Sequence, residues 1–184
     1  MLDTLITSKT RIKLLTKFFL NPQAKAYLRG LEGTFGKSSN AVRIELNRFE
    51  HAGLLNASTE GNRKVYTANT NHPLYPDIHN ILCKHLGIDQ IINEVTTKLG
   101  KIEQVWLSGE FAKGNDCTSI ELILVGSAID CDYLKQLKEK ASRLISRTIQ
   151  LTLFTPEIFA KMKNEIKPTD IFLLWEFRST HDAL

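Results

Sequence analysis

The sequence predicts a mixed α+β chain in two parts: a helical trio closed by a β-hairpin, then a small α/β domain. Three observations carry this. Apolar residues recur at helical spacing over the first part and then give way to two short alternating runs around a Gly-containing turn. From residue 101 onward, strand-like and helix-like segments alternate. The charge divides the same way: residues 1–72 hold eleven Lys and Arg against five Asp and Glu, while the remainder holds thirteen against fifteen. A basic first part suits a polyanion and the second does not.

The first helix is expected over 8–20, SKTRIKLLTKFFL, where Ile12, Leu15 and Phe19 share a face and Lys9, Arg11, Lys13 and Lys17 fall mostly elsewhere. Asn21-Pro22 stops it. A second helix is expected over about 25–33, closed by the segment GTFGKSS. Ser38 or Ser39 then caps a third helix, SSNAVRIELNRFEHAGLL, with Val42, Leu46 and Phe49 as its buried stripe and Gly53 at its end. Three short helices in this order form a helix-turn-helix arrangement. On the opposite face of the third helix, Asn40, Arg43 and Asn47 project together at spacings of three and four. Arg and Asn carry the forked donors and acceptors that match guanine and adenine edges in the major groove. Next, Leu54–Ser58 and Arg63–Ala68 read as strands around Glu60-Gly61-Asn62. A helix-turn-helix followed by a hairpin bearing Arg63 and Lys64 is the winged-helix layout, with the wing near backbone phosphates. Ser39, Lys9, Arg48, Arg63 and Lys64 are the candidate phosphate contacts.

The run YLRGLEGTFGKSSNAVRIELNRFEHAGLLNASTEGNRKVYTANTNHPLYP resembles the winged helix-turn-helix domains of bacterial transcriptional regulators, close to the arsenical-resistance-type repressors. Gly33 and Ile44 depart from that pattern, the latter where a basic residue is common. The resemblance implies residues 1–72 as a DNA-binding domain, double-stranded DNA as partner and a homodimer reading two half-sites. His72, His79, Cys83 and His85 lie close in sequence, with His79 and Cys83 one helical turn apart, but no paired-cysteine motif accompanies them. No metal and no cofactor are expected.

Residues 73–100 read as connecting helices, DIHNILCKHLG and IDQIINEVTTKLG. A strand, IEQVWLSG, runs into a Gly turn and polar loop. A second strand, TSIELILVG, follows. An amphipathic helix through Leu134, Leu137, Ala141 and Leu144, a third strand TIQLTLFT and a helix opening on Pro156 complete the series. The order over 101–184 resembles the minimal nucleotidyltransferase domain of the DNA polymerase beta superfamily. That family holds its triphosphate at a Gly-Ser turn and its divalent metals on three carboxylates, two of them flanking one apolar residue on a strand. Mapped onto this chain, Gly109 takes the turn and Glu110 the place of Ser. Ser119 and Glu121 take the two strand positions, and Gln150 the third acid. One expected carboxylate of three remains, and neutral Ser119 and Gln150 attract Mg2+ far less. Glu110 adds negative charge where a triphosphate would sit. Asp116 and Lys113 lie in the same loop.

The sequence therefore points to a sequence-specific DNA-binding transcriptional regulator whose second domain, a degenerate nucleotide cleft, serves ligand sensing or dimerisation. The competing expectation is an active Mg-dependent nucleotidyltransferase, using Glu121 and Asp116, under winged-helix control. A small-molecule effector is compatible with the first. Scattered Cys83, Cys117 and Cys131, the lack of a signal-peptide pattern at the N-terminus and the lack of a long apolar run suit a reducing, cytoplasmic setting without a membrane partner. The apolar C-terminal run DIFLLWEF and the 77–99 helices are the candidate dimer surfaces, with Trp175 and Phe177 more often core than contact.

Overall fold

A computed structural model of the protein describes residues 2–35, 39–115, 117–145 and 147–177. The fold is mixed α+β and divides into two compact units, Met1–Leu86 with Lys113–Asp116, and Gly87–Ala112 with Cys117–Leu184. The connecting helices do not form a body of their own. The first of them belongs to the first unit and the second to the other.

In the first unit a short helix α1 (Leu2–Leu5) precedes α2 (Lys9–Phe19). Ser8 caps α2, its Oγ accepting the Arg11 N–H at 3.2 Å, which satisfies one of the helix's orphan donors. Past its end, Asn21 Oδ1 accepts the Gln23 N–H and turns the chain. The expected second helix is shorter at its start than the sequence suggests. Lys25–Tyr27 forms strand β1 and only Leu28–Phe35 forms helix α3. Exposure alternates along β1, with Ala26 inward and Lys25 and Tyr27 outward, and pairing with a distant strand overrides the local helical pattern.

Helix α4 (Ser39–His51) buries Val42, Leu46 and Phe49 as expected. Its end is a Schellman pair: Leu54 N–H donates to Phe49 O, and Gly53 N–H to Glu50 O, with Gly53 at φ 71°. Strands β2 (Leu55–Glu60) and β3 (Arg63–Ala68) form an antiparallel hairpin across Gly61-Asn62, registered from Leu55 opposite Ala68 to Glu60 opposite Arg63. Strand β1 adds to the free edge of β3, giving the order β1-β3-β2. One core joins Leu14, Phe18 and Phe19 of α2, Leu31 of α3, the α4 stripe, Tyr66 and Ala68 of β3 and Leu82 of α5 (Tyr75–Leu86).

In the second unit α6 (Ile88–Lys98) leads into β4 (Lys101–Ser108), the one-turn α7 (Gly109–Ala112), β5 (Ser119–Ser127), α8 (Cys131–Ile145), β6 (Thr148–Phe154), α9 (Pro156–Lys163) and β7 (Ile171–Glu176). The sheet order is β6-β5-β4-β7. β4 is antiparallel to β5 and to β7, whereas β5 and β6 run parallel with α8 as their crossover. The run DIFLLWEF is thus mainly a sheet strand. Its outer end leaves Phe177 exposed at 62 %. Trp106, Ile123, Phe159 and Ile171 pack one sheet face under α9, and Thr155 caps that helix through the Ile158 N–H. Ala141 and Leu144, expected on the inner face of α8, have side chains outside the described residues. No helix among the described residues is long and apolar enough to cross a membrane.

Candidate functional site

The first unit holds a groove of about 770 Å³ walled by Tyr27, Leu28, Arg29, Arg43, Asn47, Asn62, Arg63, Lys64 and Tyr66. Four elements build it. β1 and the start of α3 give one wall, the outward face of α4 the other, and the hairpin tip and strand β3 close the end. Four of its nine residues are cationic and two are carboxamides, so it offers charge to a polyanion and paired donors and acceptors to bases.

The cations are held differently. Arg63 places its guanidinium 5.0 Å from the centroid of the Tyr27 ring, and Lys64 lies 5.3 Å from that of Tyr66, so aromatic faces orient both hairpin cations. Lys64 Nζ also donates to Glu50 Oε2 at 2.7 Å, and that bond raises its pKa above the ordinary lysine value. Arg43 and Asn47 are exposed along α4.

Of the other expected contacts, Asn40 is exposed one turn before Arg43 and Lys9 is exposed at the start of α2. Ser39 opens α4, and its side chain lies outside the described residues, as does Ser38, the alternative cap. Arg48 is exposed but already engaged, since its Nη1 donates to Glu45 Oε1 at 3.1 Å. Glu45 is buried, and Arg11 grips the same carboxylate with Nε at 2.9 Å and Nη2 at 3.2 Å. This triad locks α2 to α4 and fixes the angle at which the α4 face is presented. Tyr27, Arg29, Asn62 and Tyr66 are groove residues that sequence reasoning missed. The usable signal was the outward alternation of Lys25 and Tyr27, hidden by reading that stretch as helix.

The four candidate metal ligands are used otherwise. His72 Nδ1 accepts the Leu74 N–H, His79 Nδ1 donates to Phe19 O at 2.8 Å, and His79 Nε2 lies 3.5 Å from Cys83 Sγ. A carbonyl can only accept, which fixes the His79 proton on Nδ1 and makes the Cys83 thiol the donor to Nε2. His85 is half-buried in the last turn of α5. No group of three or more His, Cys, Asp or Glu is placed to hold a metal ion among the described residues.

In the second unit Glu121 stands opposite Ser108 on one side and Gln150 on the other, a row across three strands that shares one sheet face. Ser119 lies on that face two residues earlier. Its Oγ is buried without a hydrogen-bond partner among the described residues. Gly109 sits at φ 68°, and a Cβ added there would lie 2.5 Å from the Glu121 carboxyl carbon. The turn and the acid are therefore packed directly on one another. Gln150 is exposed at the edge of the row, and Glu110 is exposed as the second residue of α7. Lys113 is exposed in the turn after α7 and groups with the first unit, while Asp116 lies outside the described residues. One half-buried carboxylate beside neutral oxygens is a poor cage for a hard divalent cation, which prefers several oxygen ligands.

No protein-family model and no curated protein matches the chain. Among solved structures, a mutant of the toxin–antitoxin MntA–HpeT aligns at TM-score 0.39 and 15 % identity over 50 % of this chain and 73 % of that one. A protein from Sulfolobus solfataricus described as a nucleotidyltransferase aligns at 0.34 and 19 %, over 50 % and 81 %. Sso10a-2, a DNA-binding protein from Sulfolobus solfataricus, aligns at 0.33 and 18 %, over 48 % and 93 %. At these scores the likenesses assign no function to the chain.

Proposed function

We propose that the protein is a sequence-specific, double-stranded DNA-binding transcriptional regulator. Residues 1–72 act as a winged helix-turn-helix, and the second unit serves as a nucleotidyltransferase-type scaffold for dimerisation or effector sensing rather than catalysis. The groove carries this reading. It sets Arg43 and Asn47 of the exposed α4 face beside Arg29, Asn62, Arg63 and Lys64, so base-reading and phosphate-binding groups converge on one concave surface. In this scheme Asn40, Arg43 and Asn47 read base edges. Lys9, Ser39, Arg48, Arg63 and Lys64 contact phosphates, with Arg48 sharing its charge with Glu45. A dimer would present two such faces to a two-fold site.

The test is fluorescence anisotropy on duplexes from upstream of the protein's own gene against scrambled duplexes, at two salt concentrations, with and without nucleotide and Mg2+. Tight binding that depends on sequence, weakens with salt and needs no nucleotide is expected. Binding indifferent to sequence and erased by modest salt removes the reading. Mg2+-dependent transfer from a nucleotide to an acceptor would instead establish the enzymatic alternative.

A further inference from the structure

We infer that Ile44 reads the 5-methyl group of a thymine in the DNA site. This rests on the DNA-binding reading above and adds to it a base that α4 selects. At about 100° per residue, Val42, Glu45, Leu46 and Phe49 occupy one side of α4, and all four are buried. Ile44 falls on the other side, flanked by Asn40 and Asn47, and is 43 % exposed. It lies beside Asn40, inside the exposed arc that runs from Arg43 through Asn47 and Asn40 to Arg48.

A β-branched aliphatic residue gains little there for the protein itself. It makes no core contact of the kind its neighbours Leu46 and Val42 make, and its stiff side chain is a poorer helix former than Ala, Arg or Gln. Its neighbours on the face are polar: Asn40, Arg43 and Asn47 offer donors and acceptors, while Ile44 has no polar side-chain atom. On the major-groove floor the feature that an aliphatic group recognises is the thymine methyl. The carboxamides suit adenine, whose partner base supplies that methyl on the same floor. Facing cytosine instead, Ile44 would bury an amino group without an acceptor, so it discriminates as well as attracts.

The experiment begins with selection of duplexes by the full-length protein from a random library. Each thymine of the selected site is then replaced by uracil, which removes only the methyl, and binding is compared for the wild type and Ile44→Ala. Ile44 is on the surface, so the variant keeps the core. One uracil in a single half-site is expected to weaken wild-type binding about 4-fold, the value of one buried methyl-sized group. Ile44→Ala should bind the thymine and uracil duplexes alike. A general structural role would instead lower affinity for both duplexes equally and leave their ratio intact. A selected site without thymine, a flat uracil scan in the wild type, or an unchanged scan in Ile44→Ala overturns the inference while leaving DNA binding in place. Failure to select any site overturns the DNA-binding reading and this inference with it.

Discussion

The outward face of α4 and the row at the start of β5 are both small sets of side chains displayed on well-buried scaffolds, and they differ in what is on display. On α4 the core residues Val42, Leu46 and Phe49 are matched by a complete outward set of Asn40, Arg43 and Asn47, with the hairpin cations beside it. On β5 the scaffold is equally sound, since Ile120, Leu122 and Leu124 are buried, yet Glu121 is flanked by Ser108 and Gln150 and preceded by Ser119. On α4 packing and display occupy opposite faces, whereas on β5 Glu121 shares its face with buried Ile123 and Val125, so the display there begins where the packing under α9 ends.

The contrast is broken most directly by exchanging losses between the regions. Replacing Arg43 and Arg63 together by Ala is expected to weaken specific DNA binding about 100-fold, at roughly 1–3 kcal/mol for a base-reading contact plus the loss of a hairpin cation. Glu121→Ala should change it less than 2-fold. Anisotropy on the same duplex measures both. Equal losses from the two variants would mean that the β5 row takes part in binding.

Gly109→Ala sharpens the β5 side. Ala at φ 68° is strained by about 1 kcal/mol, and the Glu121 carboxylate occupies the space its Cβ needs. We expect a loss of about 2 kcal/mol in denaturant-induced unfolding of the second unit. In a Glu121→Ala background the same change should cost about 1 kcal/mol, because only the backbone strain is left. An identical cost in both backgrounds would show that the acid and the turn are not packed together.

These regions also differ in how legible they were. The α4 stripe, its opposite face and the hairpin are local patterns of period 3.6 and 2, and all three stand where the sequence puts them. The groove was not legible, because it depends on β1. A three-residue strand has too short a pattern to announce itself, and its partner Val65–Thr67 lies far along the chain. That pairing brings Tyr27 and Arg29 beside the hairpin. Likewise the apolar run at 170–177 could be read as strand or contact surface until its register against β4 was known. In the β5 row the identities were legible and the neighbours were not. Nothing local says that Glu121 lies over Gly109.

A third test asks whether the first unit's interior carries a display of its own. Tyr75 stacks on Phe19 at 5.5 Å and on His79 at 6.4 Å, and its hydroxyl is buried without a partner among the described residues. Burial, with a smaller contribution from Cys83, pushes its pKa up to about 12. The folded state therefore holds the proton more tightly than the unfolded chain, whose tyrosine titrates near 10. Its stabilising effect is fully present below pH 10 and is lost as pH rises toward 12. About 1 kcal/mol should disappear over that window, allowing for partial solvent screening. Tyr75→Phe should remove this loss and be neutral or slightly stabilising at pH 7, since it deletes an unsatisfied hydroxyl. A Phe variant clearly less stable at pH 7 would mean that the hydroxyl has a partner when folded.

The smallest effect concerns the acid paired with Lys64. Glu50 holds Lys64 at 2.7 Å, with half of the lysine side chain exposed. Such a pair contributes under about 0.5 kcal/mol to stability, so Glu50→Gln should leave unfolding nearly unchanged. Its effect on DNA should have the opposite sign to every other substitution at this surface. Lys64 is charged near neutral pH with or without the pair, because the Glu50 bond raises its pKa from a value already well above 7. What changes is the local field: the carboxylate beside Lys64 is lost and the ammonium turns from Glu50 to phosphate. We expect affinity to rise about 2- to 3-fold and the slope of log affinity against log salt to steepen by up to about one. Weaker binding in Glu50→Gln would instead assign Glu50 to hold Lys64 in its binding position, making the pair a positioning device for the hairpin rather than a brake on it.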